Sequence, residues 1–199
     1  MRGDDQLAPV RHLHQLPEAD PGFRWLHHLQ GGVNLVSGKF HPVPVDRLLE
    51  YQANGVIGKL NNVWWSLNGW IPNAQLVAEQ LAPQVAERVA RYEIQAALLI
   101  PASRLCHQTL GILARALEKA NVPTMLLSVD REMTDLVRPP RTAYYNGEIG
   151  AVVGRPNSKQ FQLRVLDESL RWIETFDQPG ARRLAVHLEN QIQHERGEQ

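Results

Sequence analysis

Only one cysteine, Cys106, occurs in the chain, so no disulfide framework can form within it. A lone thiol suits a reducing compartment, and the expected location is the cytoplasm. Charge of one sign is missing too. Twenty-one Lys and Arg balance 21 Asp and Glu, which leaves no global field to draw in nucleic acid or a membrane surface. Nucleic-acid and membrane partners are therefore not expected. No stretch reaches the roughly 18–20 apolar residues of a membrane span. The opening MRGDDQLAPVRHLHQLPEADPG has no apolar run and does not read as a secretory signal. Histidine is present but poorly spaced for metal. His12, His14, His27, His28 and His41 crowd the first 41 residues, with no HxxxH or HExxH pattern, so no metal site and no cofactor are assigned.

What remains is an ordinary globular composition, 43% apolar and 21% charged over 199 residues. That length supports one domain with an appended arm. Residues 1–22 are polar and carry Pro9, Pro17 and Pro21, which reads as an irregular arm. Phe23 to Leu29 reads as a short helix, so the N-terminal arm has a helical part. Residues 23–199 read as a single α/β domain. Pro44 to Ala53 is expected to be helical and to end at Asn54-Gly55. Residues 56–72 carry Trp64, Trp65 and Trp70 among Asn and Gly. They read as a loop-rich flap packing aromatics over the core, or as an interaction surface.

From Asn73 the pattern sharpens. Val77, Leu81, Val85, Val89 and Tyr92 form one stripe of a helix that Asn73 caps and Pro83 kinks or splits. Ala96 to Ile100 is a short apolar run suited to a covered strand. Ser103 to Ala120 is the next helix, with Ser103 at its start and Asn121 at its end. Val122 to Leu127 is a second apolar strand. Strand, helix, strand makes a parallel βαβ unit. Asp130 to Val137 reads as a short helix stopped by Pro139-Pro140. Thr142 to Tyr145 reads as a third strand, and a helix runs from Asn157 or Ser158 to Phe176. A final helix is expected from Ala181 to His194. The fold class is therefore α/β, a small parallel sheet with flanking helices in a Rossmann-like or flavodoxin-like three-layer arrangement.

Open parallel sheets place ligands outside the carboxyl ends of their strands. Cys106 falls three residues after the Ser103 cap, in the first helical turn behind the first strand. There the unpaired N–H groups and the helix dipole favour thiolate, the nucleophilic form. Arg104 and His107 add potential positive charge, and His107 can act as a general acid. The competing reading is a small buried hydrophobe. Arg141 is a candidate carboxylate clamp or a surface ion-pair partner. Glu118 and Lys119 lie at the far end of the helix and read as solvated.

LLIPASRLCHQTLGILARALEKANVPTMLLS, then DREMTDLVRPPRTAYYN, G-x-x-x-G-R-P and QFQLRVLDESL, resemble the component B (selenoprotein B) family of glycine, sarcosine, betaine and D-proline reductases, in its short relatives without selenocysteine. The resemblance covers about residues 95–175. It implies reductive cleavage of a C–N bond at a turn holding a selenol or thiol, within a complex of partner subunits or a homo-oligomer. The substrate implied is a small amino-acid-like or thiol compound. Cys106 would be the nucleophile and His107 the proton donor. Ser103, Arg104 and Arg141 would bind substrate. The family carries a second Cys where this chain has Ser103, so its C-x-x-C pair is broken. The alternative is a degenerate, non-catalytic member serving as a ligand-binding or structural subunit.

Overall fold

A computed structural model describes residues 43–186, except 66, 68–70 and 156–157. The expected arm over 1–22, the helix over 23–29, the early histidines and Trp70 lie outside the described residues. So does the expected helix beyond residue 186.

Helix α1 (Val45–Ala53) follows Pro44 and ends at Asn54. Asn73 caps α2 (Ala74–Leu76) by accepting from the Leu76 N–H. The chain then widens into a π-helical turn, Val77–Leu81, before α3 (Ala82–Arg91). The fault expected at Pro83 takes this form. Proline has no N–H for the carbonyl four residues back, and its ring crowds that carbonyl. The helix absorbs the fault one turn earlier, where the Ala82 N–H reaches the Val77 carbonyl five residues back.

Strand β1 (Ala97–Leu99) leads through Ser103 into α4 (Arg104–Lys119). Asn121, at φ 61°, sits just beyond that helix. Its N–H bonds the Glu118 carbonyl, and the Val122 N–H bonds that of Leu117. This double closure turns the chain into β2 (Thr124–Ser128). Asp130 caps α5 (Arg131–Val137) through the Met133 N–H. Arg138, at φ 51°, ends α5 before Pro139-Pro140 and β3 (Arg141–Tyr144). Helix α6 (Lys159–Thr175) then returns the chain to β4 (Gly180–Arg183).

The four strands form one parallel sheet in the order β1-β2-β3-β4. Residues 180–183 therefore pair as an edge strand instead of starting the expected helix at Ala181. Alternation along β2 splits the core into two layers. Leu126 faces Val85 and Val89 of α3 with Leu113 and Leu117 of α4. Met125 and Leu127 face Leu166 and Ile173 of α6 with Leu48 and Tyr51 of α1. Trp64 packs against the second layer and Trp65 against the first, with Trp65 edge-on to Tyr92 at 5.6 Å. Helix α5 lies on α4. Gly111 allows that approach, because a Cβ there would stand 2.3 Å from Val137 Cγ1. Among the described residues no helix is long and apolar enough to cross a membrane.

Candidate functional site

Four of the five expected site residues meet at the carboxyl edge of the sheet. Ser103 holds an extended backbone and caps α4, with its side chain accepting from the Cys106 N–H. Cys106 thus sits at the third helical position and is partly exposed. Its Sγ lies 3.2 Å from Ser103 Oγ. Because that hydroxyl oxygen accepts from a backbone N–H, its own proton is available to the sulfur.

His107 points the other way. It is 1% exposed. Its Nδ1 lies 3.1 Å from the Ser103 carbonyl and its Nε2 lies 3.0 Å from Ser128 Oγ. A carbonyl only accepts, so Nδ1 carries a proton, and in the neutral ring Nε2 accepts from the Ser128 hydroxyl. Burial pulls the His107 pKa below its ordinary value; the Ser103 carbonyl and the Asp130 carboxylate oppose that shift, and Arg104 adds to it. Ser128 Oγ accepts in turn from the Asp130 N–H and from the Thr134 hydroxyl, whose Oγ1 lies 2.8 Å away. The imidazole therefore ties the exit of β1 to the exit of β2.

Arg104 is half exposed, and it is directed at acids. Its Nε lies 2.7 Å from Asp130 Oδ2 and its Nη2 lies 2.7 Å from Glu132 Oε2. Those acids hold the guanidinium above its ordinary pKa.

Arg141 is not part of this group. It opens β3 and so belongs to the opposite, amino edge of the parallel sheet. The expected surface ion pair is corrected, because Arg141 is only 1% exposed. Its Nη1 donates to the Ile173 carbonyl at 3.0 Å, and its Nε lies 3.4 Å from Glu118 Oε1. Glu118 is likewise buried at 3% exposure and not solvated. Its Oε1 accepts from both the N–H and the hydroxyl of Thr124 at 2.8 Å. Lys119 is exposed, as expected.

Sequence reasoning missed Ser128, Asp130 and Thr134 as parts of the edge. Asp130 was legible as a helix start, but its pairing with Arg104 needs the two strand exits to be neighbours. Among the described residues no group of three or more His, Cys, Asp or Glu could hold a metal ion.

Two curated proteins are similar in sequence to this chain. The D-proline reductase subunit gamma of Acetoanaerobium sticklandii is 23% identical over 128 residues, 64% of this chain and 53% of that protein. The glycine reductase complex component B subunit gamma of Symbiobacterium thermophilum is 31% identical over 85 residues. The chain resembles the reductase component B family. The second match takes in 42% of this chain and 19% of the component B subunit. The chain thus spans about half the length of one relative and a fifth of the other. No protein-family model and no solved structure matches it.

Proposed function

We propose that the chain is a cytoplasmic subunit of a reductase complex acting on a small amino-acid-like compound, with Cys106 as the nucleophile. The observation that carries this reading is the partly exposed thiol behind a strand exit, its sulfur in contact with the Ser103 hydroxyl. The relatives' names supply the reaction class.

In this reading the Cys106 sulfur attacks the amine-bearing carbon. A C–S bond forms, the C–N bond breaks and the amine leaves with a proton. A partner thiol then attacks the Cys106 sulfur. The carbon departs and takes a proton from solvent, since Ser103 and Ser128 hold both His107 nitrogens. A second partner thiol displaces Cys106 by closing a disulfide with the first. The two electrons come from that external dithiol, because this chain has no second cysteine. His107, buried with both nitrogens held, positions the α4 start.

A second reading, a ligand-binding or structural subunit without chemistry, is favoured by Ser103 at the place of the family's second thiol. One assay separates them. The native complex containing the chain is supplied with dithiothreitol and D-proline or glycine, and amine release or ring opening is measured. Cys106→Ser is expected to lower the rate at least about 100-fold, as loss of a covalent nucleophile does. A rate unchanged by Cys106→Ser contradicts the nucleophile role.

A further inference from the structure

The carboxyl edge carries a second feature beside the Cys106 turn, an open cleft of about 420 Å³ lined by Val129, Arg131, Tyr144, Tyr145, Asn146 and Arg183. Its position follows from the topology. Strand β2 leads into α5, which packs on α4 over one face of the sheet. Strand β3 leads to α6 over the other face. The two exits diverge, and the cleft opens between them. A divergence of this kind is where open parallel sheets hold small ligands.

The lining is cationic and aromatic, with no acidic side chain in it. The Arg131 guanidinium lies 4.6 Å from the Tyr144 ring centre, and that of Arg183 lies 5.9 Å from it. Arg183 Nε donates to the Tyr144 hydroxyl at 3.4 Å. Arg131 has one carboxylate partner, Asp135, at 2.7 Å. Arg183 has none among the described residues. Two guanidinium groups against one carboxylate leave net positive charge over an aromatic floor. The volume is at the small-molecule end of binding sites, too small for a folded partner.

We propose that this cleft binds a small organic oxyanion, a carboxylate or a phosphate ester. Arg183 and Arg131 grip the charged group, Asn146 lines the wall, and Val129 with the two tyrosine rings takes the apolar body. The anion-gripping role expected of Arg141 thereby passes to arginines that line an open cleft. The site stands independently of Cys106, because its test reads binding and not turnover.

The test titrates the full chain with sodium benzoate and, separately, with inorganic phosphate, at constant ionic strength, by calorimetry or amide NMR. Saturable binding of at least one probe is expected. Tighter benzoate names an organic carboxylate, and tighter phosphate names a phosphate ester. Arg183→Gln weakens the bound probe about tenfold, as loss of one charge-assisted contact does. Arg183→Lys recovers part of the loss. Arg88→Gln, an exposed arginine on α3, leaves affinity unchanged. No saturable binding of either probe up to about 10 mM overturns the proposal. So does an affinity that Arg183→Gln leaves alone, or that Arg88→Gln weakens equally.

Discussion

The two edges of the sheet hold two polar clusters of similar composition and opposite character. At the amino edge Arg141, Glu118 and Thr124 are all buried, with Glu118 Oε1 between the other two and Arg141 Nη1 on the Ile173 carbonyl. At the carboxyl edge Arg104 is half exposed, Cys106 is partly exposed and the Arg131–Arg183 cleft opens to solvent. Charge alone does not make a site, since a buried pair spends its charge inside the protein. Among the described residues, the carboxyl edge is the one of the two that combines charged groups with solvent access and a reactive atom.

The sharpest way to break this comparison is to disturb the amino edge. Glu118→Ala removes the carboxylate that stands against the buried Arg141 guanidinium and accepts from the Thr124 hydroxyl. We expect a loss of about 3–5 kcal/mol in urea unfolding. Glu118→Ala combined with Arg141→Met should recover part of it, because the buried cation goes with its counter-charge. A loss no larger than that of an exposed ion pair, at most about 1 kcal/mol, would make the amino edge as open as the other.

The next effect belongs to His107, which ties two strand exits together at the carboxyl edge. His107→Ala removes one partner of the Ser128 hydroxyl and opens a void, at a cost of about 2 kcal/mol. The wild-type interaction also has a pH signature. Burial holds the folded-state pKa below the ordinary His value of 6.5. As pH falls through about 6.5 the unfolded chain takes up a proton that the folded chain resists. Stability from this group is complete above that pH and is lost as pH falls towards the folded pKa. Denaturant midpoints should therefore drop on acidification from about pH 7 to 5. His107→Asn should flatten that slope. An equal slope in wild type and variant would place the titration elsewhere.

Much of the fold was legible because local and tertiary signals agree. The apolar runs of β1 and β2, the Ser103 cap and the α4 stripe all point one way, and each element formed within a residue or two of its expected bounds. The β4 segment Gly-Ala-Arg-Arg was not legible. It has no β-branched or aromatic residue, and its strand comes only from pairing with β3. Pro83 announced a fault in the helix but not its remedy, because a kink and a π turn relieve the same clash. At the site, the thiol and its cap were local and readable. The Glu118–Arg141 pair spans 23 positions and depends on strand register, so no spacing rule could separate it from a surface clamp. The Arg131–Arg183 cleft depends on β4 and was hidden with it.

The central claim is that the Cys106 sulfur stands at an open edge, and native-state alkylation tests it most directly. Folded protein is treated with iodoacetamide and followed by intact mass. We predict a single adduct on the folded chain, appearing at a rate within about tenfold of the urea-unfolded chain, since exposure governs access to a free thiol. An adduct that forms only after unfolding would contradict the account and return Cys106 to the core.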